Sequence, residues 1–166
     1  MLLPTIKSRA RRVRATELAT TANKGDEMGL VYADIELISG DDLALYRRGY
    51  IKEVDIKRIS VRALVDSGAY TLAINQRLKE QLGLMALGTQ GGELADGTQV
   101  EMEVAGPVEI RFANRRAIVD ALVLPNESGV LLGAIPMEEM DVLIDPKQEK
   151  LIPNPQYPDL AQGVLK

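Results

Sequence analysis

Leu64-Val65-Asp66-Ser67-Gly68-Ala69 is the stretch from which the rest of the chain can be read. Residues 59–65 first alternate apolar and polar, then become continuously apolar at Ala63-Leu64-Val65. That pattern suits a strand running from an exposed edge into a core. Such a strand delivers the Asp66 carboxylate to a Ser-Gly turn at its end, where core meets cleft. Gly68 lets the backbone double back tightly, which a β-carbon would hinder. Asp-Ser-Gly alone also makes an ordinary turn, so its meaning depends on what surrounds it.

Upstream, residues 31–38 are β-rich and partly alternating, and Ser39-Gly40-Asp41-Asp42 ends them. Residues 43–57 fit either a short helix or a wider loop. Downstream, residues 70–74 read as a short strand. Asn75 is placed to cap a helix over 76–82, with Gly83 to stop it. A hairpin is predicted where Gly92-Glu93-Leu94 and residues 99–104 flank Ala95-Asp96-Gly97-Thr98, because Asp-Gly favours the positive dihedrals of a tight turn. Residues 108–112 and 117–124 then read as strands, and Val130-Leu131-Leu132 as a short apolar strand ending at Gly133. A short helix over 136–140 takes Pro136 in its first turn. Residues 142–144 and 150–152 can pair through Asp145-Pro146-Lys147. Many short strands with closely spaced turns predict a mainly β fold, a small closed barrel or sandwich with one or two short helices.

Composition restricts the chemistry. The chain has 166 residues, 46% of them hydrophobic, with one Phe and no Trp, so its core must be built from Val, Leu, Ile and Ala. It contains no His and no Cys, which removes Ser-His and Cys-His mechanisms and the common zinc ligands. Enzymatic chemistry would fall to carboxylates, Lys, Tyr or an oxygen-bound metal. Asp120, Glu138, Glu139, Asp141 and Asp145 are read as solvated strand-end and helix-face charges rather than metal ligands. Net charge is −4 and the sequence pI is about 5.0, so nothing global points to nucleic acid. No apolar run approaches the roughly 18 residues of a membrane span.

Residues 1–27 stand apart, with six basic residues against three acidic ones and no sustained apolar period. We read them as a basic, disordered tail. Transit peptides and nucleic-acid-binding arms share some of this composition. On another reading, the codons for Lys24-Gly25-Asp26-Glu27 contain a purine-rich ribosome-binding sequence, and Met28 is the true start. Residues 28–152 then form the folded domain, and the Pro-rich residues 153–166 an extended or loosely packed extension.

Taken in order, these pieces resemble the retropepsin-like aspartic proteases, which include retroviral proteases and single-domain bacterial relatives. That family shows an apolar pair before Asp-Ser/Thr-Gly-Ala, a flap hairpin, and an apolar-apolar-Gly element before a short helix. The matching pieces are Leu64 to Ala69, the hairpin within 91–105, and Leu131-Leu132-Gly133 before 136–140. The resemblance implies a closed barrel of the acid-protease type and makes Asp66 the catalytic carboxylate. It implies that Ser67 braces a dyad across an interface, that Gly68 brings its N–H to the carboxylate, and that Ala69 borders the cleft. Leu131, Leu132 and Gly133 would pack beneath the turn, and Ala95, Asp96 and Gly97 are candidates for the flap tip. Asp96 is read first as a solvated turn residue. Two departures stand out: Ala134 follows Gly133 where many relatives carry Arg or another polar residue, and the hairpin carries Glu93, Asp96, Glu101 and Glu103.

One Asp-Ser-Gly per chain implies a homodimer, because two carboxylates are needed to share a proton and divide the acid and base roles. The expected substrate is an extended peptide, the chain's own N-terminal segment included. No cofactor, metal, nucleic-acid or membrane partner is expected, and the location expected is cytoplasmic. The competing expectation is a non-catalytic dimerisation or peptide-binding module on the same fold.

Overall fold

The computed structural model of the chain describes residues 29–93, 96–125 and 128–163, with Glu93 described by its backbone alone. The basic segment 1–27, Met28, Leu94 and Ala95 lie outside the described residues. β1 (Val31–Ser39) alternates buried and half-exposed positions, with Val31, Ala33, Ile35 and Leu37 turned inward. It pairs antiparallel with β2 (Arg58–Val65), from Val31↔Val65 to Ile38↔Arg58. The other strands are β3 (Leu72–Asn75), β4 (Met85–Glu93), β5 (Gln99–Phe112), β6 (Arg115–Leu124) and β7 (Val130–Leu132). The sheet runs β1-β2-β7-β3-β6-β5-β4, and the far half of β1 also pairs with β5, from Glu36↔Arg111 to Ser39↔Val108. That second pairing closes six strands into a barrel and leaves β4 outside it as one arm of a hairpin with β5. The protein is therefore mainly β.

The barrel interior is aliphatic. Leu37, Leu72, Ile74, Ala105, Ile110, Ala121 and Leu132 have no exposed surface and belong to one cluster. Each Leu or Ile withdrawn there contributes about 1.5–3 kcal/mol. A second cluster covers the opposite face of the same strands: Leu64, Ala73, Met102, Leu122, Leu124 and Leu131. It lies beneath the β4–β5 hairpin, which supplies Met102.

Among the described residues, three short α-helices flank the strands. α1 (Gly40–Arg47) begins where the sequence pattern ends a strand: the Ser39 side chain accepts the Asp42 N–H at 3.2 Å and caps a helix in the stretch that was open between helix and loop. α2 (Gln76–Gln81) starts at Asn75, whose Oδ1 accepts the Leu78 N–H at 2.9 Å, and ends before Gly83 at φ +62. α3 (Ala134–Met140) starts two residues earlier than Pro136 suggests, because Gly133 occupies the cap position. β8 (Val142–Asp145) and β9 (Lys150–Pro153) form a separate two-stranded sheet.

β5 is one long strand where the sequence pattern shows two. Its register against β6 shifts between Ala105 and Val108, around Gly106-Pro107. Pro107 cannot donate to the ladder, and a bulge absorbs that loss without ending the strand. Residues 154–163 hold no helix or strand, and long-range hydrogen bonds tie them to the rest of the chain. The Asn114 side chain donates to the Pro158 carbonyl at 2.9 Å, Arg115 donates to the Tyr157 carbonyl, and the Gln162 N–H donates to Asp141 at 3.1 Å.

Candidate active site

β2 becomes fully buried over Ala63, Leu64 and Val65, where it runs parallel to β7 with Leu64 beside Leu131 and Val65 beside Leu132. The ladder continues one step further, because the Asp66 N–H donates to the Leu132 carbonyl at 3.0 Å. Period two therefore brings the half-buried Asp66 to the face of Leu64, the face of the second apolar cluster. The chain then turns. The Gly68 N–H donates to Asp66 Oδ1 at 3.0 Å, and the Ala69 N–H to the Asp66 carbonyl at 2.9 Å. The start of α3 clasps the far side, with the Ala134 N–H on the Ala69 carbonyl at 2.8 Å and the Ile135 N–H on the Tyr70 carbonyl at 3.1 Å.

Gly133 makes that clasp possible. A β-carbon on it would lie 2.4 Å from the Thr71 oxygen and 2.9 Å from the Ala69 oxygen. Leu131 and Leu132 are 1% and 0% exposed and carry the turn on a dry floor. Ala69 is itself 1% exposed. It holds the turn through its backbone, its N–H on the Asp66 carbonyl and its own carbonyl on the Ala134 N–H. Tyr70 and Thr71 follow it in the chain. They line a cleft of about 310 Å³ together with Gln90 and Val104 of the hairpin and Asp120 and Leu122 of β6. Ser67 is exposed and opens onto a second groove of about 280 Å³, with Ala134, Met137, Val142, Leu143 and Ile144.

The sequence matches the profile of the family described as "gag-polyprotein putative aspartyl protease" over residues 52–138. The chain belongs to this retroviral-type aspartyl protease family. The matched span contains the Asp66 turn, the β4–β5 hairpin and Leu131-Leu132-Gly133. No curated protein matches the sequence significantly. Among solved structures, the retroviral protease-like domain of Ddi1 from Leishmania major aligns with 18% identity and a TM-score of 0.48, covering 76% of this chain and 89% of that one.

In this aspartyl protease-like chain the hairpin tip is partly described. Asp96 is exposed and its Oδ1 accepts the Thr98 N–H at 2.9 Å, while Gly97 sits at φ +88. Ala95 lies outside the described residues. Two acidic residues of β5 face away from the cleft: Met102 and Val104 point to the apolar cluster, so Glu101 and Glu103 fall on the other side, where Glu103 pairs with Lys79 of α2. Of the carboxylates read as solvated charges, three bind backbone N–H groups. Glu139 accepts from Ile118 at 3.0 Å, Asp145 from Lys147 at 2.9 Å, and Asp141 from Gln162. Among the described residues, no group of three or more Asp and Glu is placed to hold a metal ion, and no helix is long and apolar enough to cross a membrane. Tyr70, Thr71 and Asp120 were missed as cleft residues. The first two follow Ala69 directly, which is a signal a reading of the turn can use; Asp120 reaches the site only through the pairing of β6 with β3.

Proposed function

We propose that this family member is an aspartic endopeptidase, with its catalytic centre made when two copies bring their Asp66 carboxylates face to face. The observation that carries this reading is the Asp66 turn. One half-buried carboxylate has an oxygen fixed by the Gly68 N–H, on a backbone clasped between β7 and α3, and the chain that leaves this turn lines a cleft beside the hairpin through Tyr70 and Thr71. Two carboxylates held together cannot both ionise cheaply, so the pair keeps one proton. The ionised member takes a proton from a water as that water attacks the scissile carbonyl carbon. The protonated member hydrogen-bonds the carbonyl oxygen, and the two exchange roles when the amine leaves. An extended peptide fits a cleft between strands and a flap, where its main chain can bond as an added strand.

The homodimer is supported by the surface beside Ser67. Its groove is mostly apolar, Leu143 is 39% exposed, and β8 and β9 form a two-stranded sheet with no further ladder partner among the described strands. Two such strands gain little alone and readily accept others at their edges. On this reading residues 28–152 are the protease domain, flanked by the segments 1–27 and 153–166, and the enzyme works in the cytoplasm without cofactor or metal.

The test is peptide cleavage by the wild-type chain and by Asp66→Asn, with sedimentation over the same concentrations. Cleavage should vanish in the variant while dimerisation persists, and wild-type activity per protomer should rise through the dimer dissociation range. Full specific activity where sedimentation finds only monomer would end the shared-dyad reading. A variant that cleaves nothing yet retains its cellular role would favour a peptide-binding module.

A further inference from the structure

The cleft beside the Asp66 turn carries a charge that nothing in the reaction uses. β6 sets Ile118, Asp120 and Leu122 on one face at period two. Leu122 is 2% exposed in the apolar floor with Leu64 and Leu131, Asp120 is exposed, and Ile118 is 48% exposed at the outer end. The pairing Leu72↔Ala121 brings this row alongside the chain leaving the turn, and the Thr71 hydroxyl donates to the Asp120 backbone carbonyl at 3.4 Å. Asp120 thus shares the cleft with Tyr70 and Thr71, the residues that follow the Asp66 turn in the chain.

Asp120 is the one charged residue among those that line this cleft. Its carboxylate has no hydrogen-bond or ion-pair partner among the described residues. Oδ1 lies over Gly106, where a β-carbon would approach it to 2.6 Å, so the absent side chain leaves the carboxylate its place against β5. The remaining lining is apolar or neutral: Tyr70, Thr71, Gln90, Val104 and Ile135. Such a groove suits a side chain with a long apolar stem and a cationic head, in which the stem covers apolar surface and the head meets the acid. An acidic side chain would meet like charge, with no base among the residues that line the cleft.

We infer that Asp120 is a specificity determinant that selects a Lys or Arg side chain of an extended peptide. The inference rests on the reading of Asp66 as the centre of a peptide-processing cleft. Asp120 touches no reacting atom in it and acts on which peptide is held.

The experiment measures binding, so that it stands apart from turnover. Fluorescent octapeptides identical but for one scanned position, occupied in turn by Lys, Ala or Glu, are titrated by anisotropy against the full chain carrying Asp66→Asn. At one position Lys should bind more tightly than Ala, and Glu more weakly. Adding Asp120→Asn should cut the Lys preference about five-fold, and Asp120→Lys should invert it toward Glu. Asp34→Asn, which removes an exposed acid on β1 away from the cleft, should change nothing. In the Asp66→Asn chain itself, the Lys preference should fade in 1 M salt, where screening acts over about 3 Å. A Lys preference unmoved by Asp120→Asn, moved equally by Asp34→Asn, or undiminished in 1 M salt would overturn the inference. Absence of cleavage by the wild-type chain would count against the protease reading alone, and cleavage without any Lys preference against Asp120 alone.

Discussion

A β-carbon on Gly133 would lie 2.4 Å from the Thr71 carbonyl oxygen and 2.8 Å from the Thr71 nitrogen. Both contacts are with backbone, so no rotamer change relieves them and the turn or α3 must move. Gly133→Ala should therefore destabilise the protein by about 3 kcal/mol or more, read as a shift in the urea midpoint. It should also abolish cleavage, since the displaced segment holds the Ala69 and Tyr70 carbonyls through Ala134 and Ile135. Gly68→Ala makes the comparison. Its β-carbon would meet only the Asp66 carboxylate, at 3.3 Å, so it should lose activity with a much smaller loss of stability. Equal stability losses for the two would remove the distinction between clasp and carboxylate. At this scale the sequence was legible where chemistry is written in a side chain: in a chain without His or Cys, a carboxylate on an apolar strand end stands out. The contact that demands glycine at 133 was not legible, because it joins residues 62 positions apart (133 − 71 = 62) through backbone atoms alone.

Among the elements, α1 explains a residue that strand periodicity alone misreads. Glu109 lies between the inward Val108 and Ile110 of β5, so alternation turns it to the outer wall of the barrel, yet it is 0% exposed. α1 covers it: Gly40 approaches Pro107 so closely that a β-carbon would lie 2.8 Å from its ring, and Arg47 comes within 3.7 Å of Glu109. The carboxylate accepts from Arg111 Nε at 2.7 Å and from Arg116 at 3.2 Å. Charge-assisted bonds of this kind offset the desolvation of a covered carboxylate. Glu109→Gln should cost about 1.5–3 kcal/mol, because the new amide cannot accept from both arginines. Arg47→Ala should cost less than about 1 kcal/mol, since the guanidinium is half exposed and its contact is long. Urea unfolding compares them, and an Arg47→Ala loss as large as that of Glu109→Gln would contradict this account. The barrel strands with strong aliphatic patterns, β1, β2, β6 and β7, were legible in outline because one face of each is buried. β4 was legible only at its end: Gly88, Gly91 and Gly92 carry no pattern, and its ladder from Met85↔Gly106 to Glu93↔Gln99 is dictated by β5. α1 was hidden for a related reason, as its amphipathicity is weak and only the Ser39 cap announces it.

Across the whole molecule, the C-terminal segment is tied back onto the barrel through Asp141, the residue that ends α3 at φ +53. Proline spacing predicted an extended or loosely packed run, and it said nothing of the long-range bonds that fasten it. Asp141 Oδ1 accepts from the Asn154 side chain and Oδ2 from the Gln162 N–H, each at 3.1 Å. The Asn154 hydrogen bond, then that of Gln162, hold the Asp141 carboxyl below the ordinary aspartate range against an opposing effect of burial, with the positive charge of Arg115 the least of the four. A carboxyl with a depressed folded-state pKa binds its proton more readily in the unfolded chain. Its stabilising effect is therefore complete above the unfolded value, about 3.9, and is lost as pH falls through the lower folded value. Asp141→Asn tests this with little backbone disturbance, since Asn tolerates a left-handed conformation. Thermal unfolding of wild type and variant at fixed protein concentration should differ by a constant amount from neutral pH to about pH 5. Below about pH 4 the gap should close. Protection from hydrogen exchange over residues 154–163, taken against the intrinsic rate at each pH, should fall in the variant at neutral pH, and in the wild type only in acid. A gap that widens on acidification, or exchange in this segment indifferent to the substitution, would show that the C-terminal run is held by something other than the charged form of Asp141.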